Sequence, residues 1–157
     1  MAGTVLDYVI IGAGIVGAAL GAELARRKPG ARILVAEKEG RPAFHQSGRN
    51  SGVVHSGVYY TPGSLKARFC REGLEETRAY CLAKGIGYDA RGKFIVATNA
   101  LEESRLDGLE TRARANDVET HRIETAGLRR QEPNISGVAA LYVPSTAIAD
   151  YTGITSA

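Results

Sequence analysis

Apolar and polar segments alternate over the first forty residues in the order strand, helix, strand. Residues 6–11 are a short apolar run that ends at a glycine, which is typical of a buried strand in a parallel sheet. Residues 14–28 are rich in alanine and leucine, and Pro29 and Gly30 end the helix that they predict. Residues 32–36 form a second apolar run, so the three segments predict a strand–helix–strand unit.

The hydrophobic pattern beyond residue 63 predicts two amphipathic helices and several strands. Apolar positions recur every three or four residues over 64–84 and over 101–116, where Leu106, Leu109 and Ala113 share one stripe. A doubly wound sheet needs more strands than the chain offers, so we expect it to be the N-terminal part of a longer protein. The remaining predicted elements are strands at 93–98, 118–123 and 137–143 and the start of a helix at 150–157.

Composition and charge narrow the function classes. Of 157 residues, 44% are hydrophobic and 24% are charged, as in an ordinary globular domain, and the formal net charge is +3. The chain has no block of like charge and no basic-aromatic run, which argues against nucleic acid as a partner. Asp7 and Glu23 interrupt the apolar N-terminal stretch, which also lacks a basic leader, so we expect a cytoplasmic protein without a membrane span. Peripheral contact with a membrane stays open.

The segment between the first predicted strand and the first predicted helix carries the clearest motif. Gly12, Gly14 and Gly17 fit G-x-G-x-x-G in the strand-to-helix context that gives this pattern its meaning. The first glycine permits a tight turn, the second a close approach of the backbone to a pyrophosphate, and the third close packing of helix on strand. The free N–H groups and the positive dipole end of the helix favour phosphate at this point.

Glu37 follows Gly17 by twenty residues, at the end of the second predicted strand. A carboxylate there accepts hydrogen bonds from both ribose hydroxyls of an adenosine and repels a 2′-phosphate, which disfavours NADP. Lys38 comes next and is included among the candidate cofactor-binding residues. FAD and NAD share this half-site, and the alternative is a glycine-rich turn with a surface glutamate and no ligand.

The stretch HQSGRNSGVVHSGVYY, residues 45–60, is too polar and too rich in glycine for an ordinary core element. With the glycine loop and Glu37, its first eight residues resemble the D-amino-acid-oxidase-like FAD-dependent oxidoreductases. The longer run through residues 53–67 is similar to the L-2-hydroxyglutarate dehydrogenase/oxidase family. The resemblance covers essentially the whole chain and is strongest over residues 9–73.

This resemblance implies a fold, a cofactor and a reaction. We expect an α/β fold with a Rossmann-like FAD-binding domain and the start of a discontinuous antiparallel-sheet substrate domain. The implied division is 1–86 for the N-terminal part of the FAD-binding domain, 87–145 for the first substrate-domain segment and 146–157 for a truncated return toward the FAD domain. The implied reaction oxidises the 2-hydroxy acid L-2-hydroxyglutarate to 2-oxoglutarate with noncovalent FAD. Electrons then pass to oxygen, a quinone or an electron-transfer flavoprotein, and the chain alone is expected to be incomplete for catalysis.

The same resemblance assigns further cofactor residues, because the loop after the ribose-binding acid runs along the flavin pyrophosphate and ring in that family. By position, the candidates are Ser47, Arg49, Asn50 and Ser51. Arg49 offers a fork of donors to a diphosphate, and serine and asparagine offer neutral ones. Asn50 and Ser51 are also expected to cap a short helix that points at the cofactor. A flexible surface loop that tolerates glycine is the alternative.

Hydride loss from a 2-hydroxy acid leaves a hydroxyl proton, which a neutral imidazole is suited to take near pH 7. His55 is the candidate catalytic base or substrate anchor, with a packed structural histidine as an equal alternative, and His45 is the second candidate. A dicarboxylate also requires cations. Lys66 and Arg68 are available for this, although a solvated helix face explains them as well.

Two other functions stay open. An FAD-dependent amine oxidase of the sarcosine or glycine type shares the FAD unit but oxidises a C–N bond, and residues 55–65 argue against it. A noncatalytic nucleotide-binding fragment explains the glycine loop without any reaction.

Overall fold

The computed structural model describes residues 5–157, which form five α-helices and eight strands within that range. The helices are α1 (Ile15–Arg27), α2 (Leu65–Lys84), α3 (Ala100–Ala115), α4 (Thr125–Gln131) and α5 (Tyr151–Ser156), and one 3-10 helix spans Gln46–Gly48. The strands are β1 (Tyr8–Ile11), β2 (Ile33–Ala36), β3 (Val53–Val54), β4 (Tyr88–Asp89), β5 (Lys93–Ala97), β6 (His121–Glu124), β7 (Ala139–Val143) and β8 (Ala147–Ala149).

The chain divides into two compact units. The first contains the described residues up to Gly52, together with Cys81–Gly87 and Asp150–Ala157. The second contains Val53–Tyr80 and Tyr88–Ala149. The assignment of residues 1–86, 87–145 and 146–157 to cofactor and substrate domains stays a prediction. Within residues 5–157, no helix combines the length and the apolar character needed to cross a membrane.

The first unit contains the predicted strand–helix–strand. Strands β1 and β2 pair in parallel, from Tyr8 opposite Ile33 to Ile11 opposite Ala36. Helix α1 connects them because a parallel pair requires a crossover, and it lies on one face of the pair. The last helix, α5, packs on α1 and on the 3-10 helix, so the end of the described chain lies beside the loop that follows β2.

Strand β1 is parallel as predicted, but the prediction that it is buried is wrong. Ile10 faces α1 and is 8% exposed, whereas Val9 and Ile11 are 56% and 90% exposed. The reason is that side chains alternate between the two faces of a strand, and α1 covers only the face that carries Ile10.

The second unit is built on an antiparallel sheet, as the family resemblance implies. Strand β7 is central, with β5 on one side and β6 on the other, both antiparallel to it. Helix α3 packs on β5 and β7, where its stripe residues Leu106 and Ala113 are buried. Leu106 belongs to one core cluster with Ala97, Ala139 and Leu141.

A smaller sheet in the same unit has β8 at its centre, between β3 and β4. Val53 pairs with Ile148 and Val54 with Ala147, which fixes the start of the segment that leads to His55. Ser56 continues this segment as a buried polar residue whose hydroxyl lies 3.4 Å from that of Thr146. The backbone position of His55 is therefore set by its neighbours on both sides.

Leu141→Ala is expected to lower the free energy of unfolding of the second unit by about 2–5 kcal/mol, because Leu141 is fully buried in the central strand and its loss leaves a cavity. Leu101→Ala is the matched control, since Leu101 is 62% exposed and its change should stay within about 0.5 kcal/mol. Urea unfolding followed by far-UV circular dichroism measures both. Equal losses for the two variants would contradict the core assignment.

Candidate functional site

The glycine loop between β1 and α1 has the geometry that its motif predicts. Gly12 has a φ of +100°, a conformation that L side chains rarely adopt, and its N–H donates to the carbonyl of Ala36 at 2.7 Å. A Cβ on Gly17 would overlap the carbonyl oxygen of Gly12. The N-cap of α1 is Gly14, which has no side chain to cap the helix, so the first turn presents its backbone N–H groups.

Ser47 closes one side of this helix end. Its Oγ accepts a hydrogen bond from the Ile15 N–H at 2.9 Å, although the two residues are 32 positions apart in sequence. A Cβ on Gly14 would come within 3.3 Å of the same oxygen. A hydroxyl that accepts from the helix still has its own hydrogen to donate, so Ser47 extends the set of donors at the helix N-terminus.

Glu37 lies just past the end of β2 and is anchored through both carboxylate oxygens. One oxygen accepts from the Ala13 N–H at 2.7 Å and the other from the Glu39 N–H at 3.1 Å. These backbone hydrogen bonds, that of Ala13 first, hold the pKa of Glu37 below its ordinary value. The side chain is therefore ionised at neutral pH, and each oxygen keeps acceptor capacity for a hydroxyl group.

A cavity of about 400 Å³ lies between these elements. Its volume is within the roughly 300–1,000 Å³ typical of small-molecule sites. Its walls contain residues that the sequence predicted to bind the cofactor and others that it did not. Its lining includes the predicted Gly12, Gly14, Glu37, Lys38 and Ser47, and also Ile11, Ala36, Ala43, Phe44, His45 and Gln46.

The other four predicted cofactor residues are close in sequence but do not line this cavity: Gly17, Arg49, Asn50 and Ser51. Gly17 acts through helix packing, as described. Arg49 is exposed, and its guanidinium carbon lies 4.8 Å from the centroid of the Phe44 ring. Within residues 5–157 it forms no ion pair, so its charge is available to an anion.

The prediction that Asn50 and Ser51 cap the start of a short helix is wrong. The Asn50 amide donates to the carbonyls of Gln46 and Ser47, both at 2.9 Å, and so closes the C-terminal end of the 3-10 helix. Its Oδ1 accepts from the Gly52 N–H at 2.7 Å, which makes an Asx turn. The 3-10 helix ends at Gly48, so Asn50 lies after its C-terminal end and cannot cap its start. Ser51 is exposed.

His45, the second histidine candidate, and Lys38 share one carboxylate. His45 Nε2 lies 2.8 Å and Lys38 Nζ 3.0 Å from Oε1 of Glu39. Lys38 and His45 therefore line the cavity as members of a small charged cluster at its wall.

Phe44 was not predicted as a site residue. Its ring is flanked by Arg41, at 5.3 Å, and by Arg49, and it meets His45 edge-on at 5.2 Å between ring centroids. The sequence contained one signal for this residue. Phe44 is a single phenylalanine in a polar stretch, with arginines three residues before it and five residues after it.

His55 belongs to the second unit and has its own surroundings there. The residue is exposed, and its backbone carbonyl accepts from the Cys70 thiol at 3.1 Å. Partial desolvation of the imidazole by the surrounding protein lowers the pKa of His55, and the charge of the nearby Lys93 ammonium lowers it further. The neutral form, which is the one that accepts a proton, therefore dominates at pH 7.

The chemistry of the first site matches an adenosine diphosphate group. The loop offers backbone and hydroxyl donors to phosphate, and the anchored Glu37 offers acceptors to ribose hydroxyls. A Cβ would crowd the Ser47 hydroxyl at Gly14 and the Gly12 carbonyl at Gly17, and Gly12 itself has a positive φ. The residues present therefore fit a dinucleotide such as FAD.

Comparison with known proteins agrees with this geometry. The family model for DAO, FAD dependent oxidoreductase, matches residues 7–157. The chain is 49% identical over 151 residues to L-2-hydroxyglutarate dehydrogenase of Escherichia coli, covering 96% of this chain and 36% of that protein. It is 43% identical over 152 residues to the mitochondrial L-2-hydroxyglutarate dehydrogenase of Caenorhabditis elegans, covering 95% of this chain and 35% of that protein. The chain thus spans about a third of the length of these relatives.

A solved structure shares the fold. The L-alpha-glycerophosphate oxidase of Mycoplasma pneumoniae, reduced with dithionite and with FAD bound, superposes with a TM-score of 0.86 at 25% identity, covering 95% of this chain and 40% of that chain. The family match covers nearly all of the residues that the structure describes, including the glycine loop, Glu37 and the residues 45–60 stretch. The chain belongs to the DAO family of FAD-dependent oxidoreductases, whose cofactor is FAD.

Proposed function

We propose that this chain provides the FAD-binding part of an enzyme that oxidises L-2-hydroxyglutarate to 2-oxoglutarate. The observation that carries the cofactor half is the Glu37 carboxylate, fixed by the Ala13 N–H at the mouth of the glycine loop. The substrate is supported by the relatives at 49% and 43% identity, which are named as L-2-hydroxyglutarate dehydrogenases. The implied assignment of residues 87–145 to a substrate domain is part of the same proposal.

The cofactor would be held by residues of the first unit. Gly12, Gly14 and the N-terminus of α1 would face the diphosphate, with the Ser47 hydroxyl as an additional donor. Arg49, whose guanidinium has no carboxylate partner within residues 5–157, would add positive charge. Glu37 would accept from the ribose hydroxyls, and Lys38, Asn50 and Ser51 complete the proposed set.

When bound, FAD supplies the acceptor for the hydride that leaves the α-carbon of the substrate. The protein must take the hydroxyl proton as the C–O double bond forms. We assign this step to the His55 imidazole, which is exposed, lies in the stretch that carries the family resemblance, and has a pKa lowered in the direction of the neutral form. Oxygen, a quinone or an electron-transfer flavoprotein is proposed as the final electron acceptor.

A visible absorption spectrum, recorded after incubation with FAD and thorough desalting, tests the cofactor half. Retained oxidised-flavin bands are expected, and a folded but colourless protein would contradict the site. In a protein that carries this chain at the full length of its relatives, anaerobic addition of L-2-hydroxyglutarate is then expected to bleach the bands, whereas sarcosine and glycine are not. Bleaching by sarcosine or glycine instead would favour an amine oxidase. Retained flavin that no substrate bleaches would favour a noncatalytic nucleotide-binding module.

Glu37→Gln is expected to weaken FAD binding about tenfold or more, because the amide presents an NH2 group where the carboxylate accepts hydrogen bonds. Quenching of flavin fluorescence on titration with protein gives the dissociation constant. Glu75→Gln, on the exposed surface of α2, removes the same charge and should bind FAD like the parent protein. An unchanged constant for Glu37→Gln would show that the carboxylate does not bind the ribose.

A further inference from the structure

Lys93, the first residue of β5, is a half-buried cation in the second unit. Its Nζ lies 4.4 Å from the centroid of the Tyr59 ring and 3.4 Å from the Tyr59 hydroxyl oxygen. The ring and the hydroxyl group both belong to Tyr59, so this contact supplies no carboxylate. Across residues 5–157, no carboxylate lies within ion-pairing distance of this ammonium group.

This arrangement differs from that of five arginines in the same unit, each of which has a carboxylate partner. A cation that is partly removed from water is stabilised by such an anion. Lys93 instead has a phenol ring and its hydroxyl. The paired arginines of the second unit are Arg68 with Glu72, Arg71 with Asp117, Arg91 with Asp89, Arg114 with Glu110 and Arg122 with Glu103 and Asp107.

Lys93 lies within electrostatic reach of His55. Partial burial and then the Lys93 charge lower the pKa of the His55 imidazole. The two residues come from β5 and from the segment after β3, and Tyr59 joins them from the same segment. An ammonium group, a phenol hydroxyl and an accessible imidazole thus occupy one region of the second unit.

We propose that Lys93 binds a carboxylate of the 2-hydroxy acid substrate and so places the substrate for proton removal by His55. This inference rests on the proposed function. A substrate carboxylate would supply the anion that Lys93 lacks, through a charge-assisted hydrogen bond. Since the Lys93 ammonium donates to the Tyr59 oxygen, the Tyr59 hydrogen remains free for the same carboxylate. Lys66 and Arg68, the cations predicted from sequence, are assigned no such role: Lys66 is exposed and Arg68 is paired with Glu72.

Lys93→Met keeps a similar apolar stem and removes the charge. In the FAD-loaded protein at the full length of its relatives, we expect the KM for L-2-hydroxyglutarate to rise about ten- to a hundredfold. Isothermal titration with glutarate, which has both carboxylates but no hydroxyl to oxidise, should show the same loss of affinity without requiring activity. Lys93→Arg keeps the charge and should recover most of the glutarate binding, and Lys28→Met, on an exposed lysine at the end of α1, should match the parent protein.

Thermal melts of all variants establish that they are folded. A Lys93→Met protein that is folded and binds glutarate like the parent would overturn the proposal. The proposed function fails separately: if the parent protein binds glutarate through Lys93 but L-2-hydroxyglutarate does not bleach its flavin, the anion site stands and the assigned reaction does not. Equal weakening by Lys93→Met and Lys93→Arg would contradict a role for the charge.

Discussion

Replacing Gly17 with alanine is expected to lower the affinity for FAD about a hundredfold. The added Cβ would overlap the carbonyl oxygen of Gly12 and would come within 3.4 Å of the Ile10 side chain. Ile10 belongs to β1 and Gly12 directly follows it, so the helix must move away from this strand. Its N–H groups then move away from the diphosphate, and overpacking of this kind costs about 1–3 kcal/mol. A loss of that size, expressed as binding, corresponds to roughly a hundredfold at its upper end.

Gly108→Ala provides the matched control for this prediction. Gly108 is an exposed residue inside α3, and a Cβ there meets no atom within 4 Å. Because alanine is the better helix former, this variant should gain about 0.5–1 kcal/mol of stability and retain FAD fully. The ratio of flavin to protein absorbance after desalting compares the two. Full flavin retention by folded Gly17→Ala would show that the close approach of α1 to β1 is not needed for binding.

In the protein at the full length of its relatives, His55→Asn is expected to lower kcat by about 10²–10⁴ while leaving flavin retention unchanged. Removing a general base has an effect of this size, because the hydroxyl proton then has no positioned acceptor. Asparagine keeps a polar side chain, and His55 is exposed, so the fold should tolerate the change. Rapid anaerobic mixing with L-2-hydroxyglutarate, followed by the rate of flavin bleaching, measures the step. A bleaching rate within threefold of the parent would exclude His55 as the base.

The pH dependence gives a second test of the same residue. Burial and the Lys93 ammonium disfavour the charged imidazolium, so the pKa of His55 lies below its ordinary value of about 6.5. The neutral base is present above this pKa, and activity is therefore lost only as the pH falls through it. In Lys93→Met the loss should move to higher pH because one repulsive charge is removed. In His55→Asn this acid limb should disappear, and its persistence would assign it to another group.

The cofactor half of the site could be predicted from sequence because its signals are local. The glycine spacing, the apolar runs on each side and an acid twenty residues later all depend on neighbours in the chain, and β1, α1 and β2 lie where these signals place them. The strands of the larger sheet in the second unit were also predicted from runs of six or seven residues, and the resemblance implied their antiparallel arrangement. An element of this length has enough residues for its hydrophobic pattern to indicate the type of secondary structure.

Several elements escaped prediction because they are too short for a pattern. Strands β3, β4 and β8 have two or three residues each, and they exist because their backbones pair with one another across the chain. The role of Asn50 was also misassigned, since an Asx turn and an N-cap use the same residue types. Its position after the 3-10 helix decides between them.

The sequence by itself determined the nucleotide-binding unit, the family and the choice of Glu37 as the acid proposed to bind the ribose, because each depends on residue types at fixed spacing. Only the tertiary structure decided that Ser47 meets the start of α1, that Phe44 forms part of the cavity wall and that Lys93 lies against Tyr59 without a carboxylate partner in the described chain. These contacts join residues up to 34 positions apart. Chain folding, rather than local preference, sets such distances, so no local pattern encodes them.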